Sequence, residues 1–224
     1  MPLQPSIEIL GVQVLEPITA LTDLLVSGVC YYAFFKLNKS RSKKQVDIYF
    51  NYFFLTMGTA TAWGGLIGHA FIYFFGFAWK VPGWIISMLS VGLMERSAIL
   101  HAQPLMRRRV GLFFSRLNII ELITFICISI YTLKFIFVEA HATYGLLIIV
   151  FSFELYTFIN TKDKGSRYIL FAIGWSALSA IIHLSKFSIH QWFNYNDLSH
   201  VLMAIGAWFF YQGALHVKPT ERKR

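Results

Sequence analysis

Residues 117–137 read LNIIELITFICISIYTLKFIF, and Glu121 and Lys134 are the only charged side chains among them. At about 1.5 Å rise per residue, a helical run of roughly 20 residues crosses the roughly 30 Å of hydrocarbon in a bilayer. Apolar and polar residues do not alternate along it, as the strand of a lipid-embedded barrel requires, so the stretch predicts a membrane helix. Six further stretches share this character, near 17–37, 48–71, 83–103, 141–160, 168–187 and 197–216. The expected fold is therefore all-α: a polytopic membrane protein, one seven-transmembrane-helix bundle over residues 1–224. Pro17, Pro82 and Pro104 fall at expected helix ends, where a missing N–H costs little.

Composition points the same way. The chain has 224 residues, 56% of them hydrophobic and 14% charged, with mean hydropathy +0.56, which excludes an ordinary water-soluble domain. A net charge of +9 would suit nucleic acid on a soluble surface. Here the basic residues form short clusters between apolar runs, so the expected partners are membrane lipids and no nucleic acid. Cys30 and Cys127 both sit inside apolar runs and offer no disulfide framework. No Lys or Arg precedes the first run, so no cleaved signal peptide is expected.

The basic clusters at 36–44, 96–116, 162–167 and 218–224 fall at alternate ends of successive runs and leave only Lys80, Lys134 and Lys186 for the other side. By the positive-inside rule the N-terminus is expected outside and the C-terminus in the cytoplasm, in a plasma or inner membrane. Arg107 to Arg109 double as a candidate lipid-headgroup contact. Small residues at Ala60, Gly64 and Gly68 suggest close helix packing, and Trp79, Trp84 and Trp192 an interfacial belt. No internal repeat of the kind found in inverted-repeat transporters is visible.

Ionisable groups inside hydrocarbon cost about 2.5–3.5 kcal/mol each on insertion scales, so each calls for a partner or a function. They divide into two expected layers. The outer one holds Glu16 and Asp23 on the first helix, His69 on the second, His183 on the sixth, and Asp197 with His200 on the seventh. Glu16, Thr19, Asp23 and Ser27 share one helix face by their spacing. Imidazoles with a nearby carboxylate are the ligand set zinc takes, and a catalytic site keeps one position for water. Bland readings stand beside this: a helix-end histidine at 69, a serine-satisfied histidine at 183, a helix cap at 197. His141 and His190 read as loop residues. The inner layer holds Glu95, Glu121 and Glu154 with Arg96 and Arg116 near, and His101 and His216 close by. An ion-pair network and a conduction path both fit it.

The helix-2 stretch ending in His69, the Asn-Asp-Leu-Ser-His at 196–200, the acidic start of helix 1 and the seven-helix plan together resemble the CREST group of intramembrane metal hydrolases, which includes alkaline ceramidases and the adiponectin/progestin receptor family. The resemblance implies zinc held by a helix-2 histidine and two helix-7 histidines, with water attacking a lipid amide or ester. His69 and His200 carry over. Asn196 stands where the group has the first helix-7 histidine, Gly65 where it has a serine, and Lys80, Pro82 and Trp84 where an early helix-3 aspartate belongs. The third ligand would then be Asp197 or His183.

The expected function is zinc-dependent hydrolysis of a lipid amide or ester near the outer leaflet, with three alternatives. A zinc-dependent lipid hydrolase would use these ligands, with Asp23 or Glu16 moving the proton. A proton or cation channel or transporter would use both layers. A redox protein would hold haem between His69 and His183 or His200, and between His101 and His216. A non-catalytic receptor also fits, whereas a retinal Schiff base does not, because the last helix has no lysine between Asn196 and Val217.

Overall fold

The computed structural model describes residues 4–39 and 44–218. The basic residues Arg41, Lys43, Arg222, Lys223 and Arg224 lie outside them. A short antiparallel hairpin opens the chain, β1 (Ile7–Ile9) against β2 (Val12–Val14), with Ile7 opposite Val14. Its two-residue turn needs positive φ at both positions, and Leu10 and Gly11 supply φ of 51° and 79°. Nine α-helices follow among the described residues: α1 (Pro17–Lys39), α2 (Gln45–Trp63), α3 (Ile72–Phe75), α4 (Lys80–Ala102), α5 (Arg108–Thr132), α6 (Ile136–Tyr144), α7 (Phe151–Thr161), α8 (Lys164–Ser185) and α9 (Tyr195–His216). Two π-helical segments interrupt them. Gly64–Ala70 extends α2, and Gly145–Val150 joins α6 to α7 in one rod.

Six helical segments are long and apolar enough to cross a membrane: Pro17–Lys39, Phe77–Leu105, Arg108–Thr132, Ile136–Thr161, Lys164–Ser185 and Tyr195–His216. The chain is an all-α protein with the makeup of a multi-pass membrane protein. The expected count of seven is not met, because α2 is not among the six. It carries Asp47, Asn51 and three threonines in 19 residues and then passes into the π segment. Helix ends also depart from the apolar runs. The run at 117–137 belongs to a helix that starts at Arg108 and stops at Leu133, which takes a left-handed φ of 52°. Apolarity marks what lipid surrounds, whereas Arg108, Arg109 and Arg116 continue the helix beyond it.

Local chemistry fixes the other ends. Asp163 caps α8 by accepting from Ser166 N at 2.8 Å. Asn194 and Asp197 form a reciprocal capping box on α9. Lys162 and Lys186 close α7 and α8 in left-handed φ. The main core lies among α1, α2, α4, α7, α8 and α9, around Phe50, Phe54, Met94, Ile99, Val150 and Ile169. Helix α5 is peripheral, with only Gly111, Asn118 and Ser129 buried. A smaller apolar cluster of Trp84, Met88 and Val138, backed by Leu122 and Phe125, joins α4, α5 and α6.

The hairpin defines one end of the bundle. Leu15 N donates to Ala70 O at 3.0 Å and Tyr73 Oη to Gln13 O at 2.9 Å, so the π segment after α2 ends beside the start of α1. At the far end Lys218 N donates to Asp163 Oδ1 at 3.3 Å, and Ser97 Oγ to Val46 O at 3.2 Å. Of the expected stripe, Ala60 is buried and a Cβ at Gly64 would lie 3.3 Å from Asp23 Oδ2 on α1, whereas one at Gly68 would meet nothing. Against α1 the tight glycine of this segment is Gly65, whose Cβ would lie 2.9 Å from both Ala20 O and Asp23 Cβ.

Candidate functional site

Three tiers of ionisable side chains occupy the bundle. At the hairpin end, Glu16 precedes Pro17 in a left-handed φ of 44°, a costly conformation for a non-glycine residue. It places Oε2 2.5 Å from His69 Nδ1. His69 is itself carried by the π segment, a helix form that recurs at functional positions. Asp23 lies one helix face along α1, and the missing Cβ at Gly65 lets α1 approach. Its two oxygens stand 3.4 Å from His200 Nε2 and 3.9 Å from His69 Nε2. Thr22 Oγ1 is 3.1 Å from His200 Nδ1. One carboxylate therefore sits between two imidazoles from different helices, whose ring centroids are 6.3 Å apart.

The other expected outer ligands lie near but are held by other partners. Both oxygens of Asp197, a fully buried side chain, are taken. Oδ1 accepts from Thr19 Oγ1 at 2.7 Å, and Oδ2 from Gln4 Nε2 and Asn194 N at 2.6 Å each. His183 pairs through Nε2 with Glu139 Oε1 at 3.0 Å and packs edge-on to Tyr195. The serines that precede it on α8 do not satisfy it, since Ser176 Oγ donates to Ala172 O and Ser179 Oγ to Ser199 O. At the position where the CREST pattern has serine, any side chain on Gly65 would press on α1. Among the described residues the hairpin end brings no three ligand atoms within 4.8 Å of one another.

The middle tier does so. Glu95 on α4, Glu121 on α5 and His141 on α6 place one ligand atom each within 4.8 Å of the others. His141, expected in a loop, lies inside α6 with no exposed surface, and Glu95 is 1% exposed. His141 Nε2 is 3.4 Å from Glu121 Oε1. Asn118 Nδ2 donates to Glu95 Oε2 and to Gly92 O, both at 3.2 Å, fixing one carboxylate oxygen and turning the other into the cluster. Gly145 opens the second π segment, and a Cβ there would overlap Val91 and Glu95 Oε1. The Glu95 and Glu121 carboxyl groups lie within hydrogen-bonding reach of each other, and among the described residues neither His141 nitrogen has a hydrogen-bond partner.

The third tier lies toward the far end. His101 Nδ1 is 3.2 Å from both oxygens of Glu154, and Ser166 Oγ donates to Glu154 Oε2 at 2.6 Å. The single inner layer expected from sequence is thus two, with Glu154 separate from Glu95 and Glu121. Arg96 leaves the cluster to donate to Ser115 O. His216 contacts Gln212 O and the Tyr168 ring; His101 is engaged by Glu154.

Sequence reasoning missed His141, Asn118 and Glu139. An apolar run starting at residue 136 rather than 141 would have placed His141 inside a helix, but nothing in the sequence pairs it with Glu95. The three ligands come from three helices, and their meeting depends on tertiary packing.

A family model described as a family of unknown function (DUF6962) matches residues 18–219. No curated protein and no solved structure matches the chain.

Proposed function

The chain belongs to the DUF6962 family, and we propose that it moves protons or a metal cation across a membrane, with the middle tier as the central site. One observation carries this reading: Glu95, Glu121 and His141 converge from three helices, the two carboxyl groups within hydrogen-bonding reach of each other and both His141 nitrogens without a hydrogen-bond partner among the described residues. Buried carboxylates left in this state are costly to a fold, and groups of this kind mark ion and proton pathways. Transporters commonly place such sites near the bilayer midplane, and Glu121 sits near the midpoint of α5.

The same reading takes Gln45 to Ala70 as a seventh crossing. Its support is that Val46 is tied to the far end through Ser97 and Ala70 to the hairpin end through Leu15. The far end carries Lys36, Lys39, Lys162, Lys164 and Lys218, so the positive-inside rule sets it in the cytoplasm of a plasma or inner membrane. The test is flux into proteoliposomes carrying proton-sensitive and metal-sensitive dyes. Wild type should conduct under a gradient, and Glu95→Gln should not. Wild-type vesicles no more permeable to protons, Zn²⁺ or Mn²⁺ than empty ones would end this reading.

A second reading, hydrolysis of a lipid amide or ester at the hairpin end, is favoured by the placement of Asp23 between His69 and His200. Two imidazoles and a carboxylate are a set that zinc accepts, with Glu16 orienting His69 through its other nitrogen. Its mark would be ceramide or ester hydrolysis, together with zinc that is lost in His69→Ala.

A further inference from the structure

We infer that Glu95, Glu121 and His141 form a binding site for one divalent transition cation of the zinc, manganese, iron and cobalt class, at a place distinct from the histidines that the sequence nominates at the hairpin end. The inference deepens the transport reading by naming its cargo class or resident ion. It starts from charge. Two ionised carboxylates beside each other in a buried site repel, and a dication cancels both charges while leaving the site neutral. The second element is geometry. Ligands on one ion at about 2.0–2.2 Å stand about 3–4.4 Å from each other, and the three ligand atoms here all lie within 4.8 Å.

A third and independent observation points to a ligand. His141 is fully buried, and among the described residues neither ring nitrogen makes a hydrogen bond, although Nε2 faces Glu121 at 3.4 Å. A buried imidazole kept for packing alone would normally satisfy at least one nitrogen. Asn118 supplies what metal-bound carboxylates usually have, a donor on the oxygen turned away from the ion. Gly145 leaves the space in which Glu95 Oε1 sits. One imidazole with two carboxylates suits borderline transition ions, whereas Ca²⁺ and Mg²⁺ prefer all-oxygen shells with more ligands.

The test is titration of the purified full chain in nanodiscs with Co²⁺, read by visible absorption, alongside elemental analysis. Wild type should take up one Co²⁺ per chain, displaced by Zn²⁺ but not by equal Ca²⁺ or Mg²⁺. Glu121→Gln and His141→Ala should lose stoichiometric binding, and the His69→Ala, His200→Ala double variant should keep it. Because a ligand variant can fail to fold, His141→Cys provides a separate reading. A thiolate replacing the imidazole should add a sulfur-to-cobalt charge-transfer band that wild type, with Cys30 and Cys127 elsewhere, lacks. Folded wild type that binds no Co²⁺, as expected if the two glutamates merely share a proton, overturns the inference. So does binding that survives in Glu121→Gln and His141→Ala, or that disappears with His69 and His200. Metal binding without flux would sink transport and leave the site standing. Proton flux without metal binding would do the reverse.

Discussion

Replacing Asn118 with leucine probes the middle tier without touching a proposed ligand. Leucine keeps the branched shape but removes the Nδ2 donor that lies 3.2 Å from Glu95 Oε2 and 3.2 Å from Gly92 O. The carbonyl of Gly92 sits within α4, where a helical acceptor still has the ladder. Glu95 Oε2 has no such alternative, and a buried acceptor stripped of its donor costs about 1–3 kcal/mol. A metal ion on Oε1 would draw charge from that carboxylate, but a freely rotating Glu95 no longer presents Oε1 to Glu121 and His141 in advance. Loss of a partner to a metal ligand typically weakens binding about 10–100-fold, or about 1.4–2.7 kcal/mol. The assay is Co²⁺ titration of Asn118→Leu in nanodiscs, with denaturation in mixed micelles to follow stability. Asn118→Gln, which keeps the amide on a longer stem, should fall between the two. Leucine that leaves both affinity and stability at wild-type values would refute the claim that Asn118 orients Glu95.

Two substitutions test the neighbouring tiers. Gly65→Ser, which restores the residue of the resembled motif, should destabilise by about 1–3 kcal/mol through overpacking, because its Cβ would sit 2.9 Å from Ala20 O and Asp23 Cβ; an unfolding midpoint equal to wild type would mean that α1 does not pack against Gly65 this closely. Glu154→Gln removes the charge facing His101 and weakens the bond from Ser166, for an expected loss of about 1–3 kcal/mol in stability. Co²⁺ affinity should stay unchanged, and a fall in affinity would show that the second and third tiers act as one site.

The sequence made the helical membrane character legible because roughly 20-residue apolar runs have few other physical solutions. It made the partnership of Asp23 with His200 approachable, since both lie near the start of helices that open at the same end. It misassigned what depends on local backbone chemistry or on packing between distant helices. Asp197 takes the helix-cap role that stood beside its ligand reading, whereas its bonds to Gln4 and Thr19 come from packing that no local pattern shows. His141 looked like a loop residue because a histidine before an apolar run resembles a boundary, yet α6 begins at Ile136. The π segments at Gly64 and Gly145 carry no periodicity signal in the sequence, and they lie at His69 and beside the Glu95, Glu121 and His141 cluster.

Helix α4 threads the middle and far tiers, and its spacing bears on how an ion would move. Glu95 and His101 are about 9 Å apart along the helix axis at 1.5 Å per residue. Toward the hairpin end, the Trp84, Met88 and Val138 cluster lies on the side of Glu95 nearer to Lys80. Ala98, Ile99 and Val150 pack into the core on the other side. The buried polar side chains in these stretches, Ser90, Ser97 and Ser129, are spent on Ser87 O, Val46 O and Met88 Sδ, so the polar tiers are insulated from each other in this conformation. A continuous water-filled channel would need polar lining across those gaps. A transporter needs only that one gap open at a time, which helix shifts at packed interfaces can supply. The first π segment lies at the hairpin end and the second between His141 and Glu154, in the gap between the middle and far tiers, and conversion of a π turn to α would rotate the residues beyond it. The arrangement therefore favours alternating access over a permanent pore. A flux that rises steeply with temperature and saturates with ion concentration agrees with this; conductance linear in concentration contradicts it.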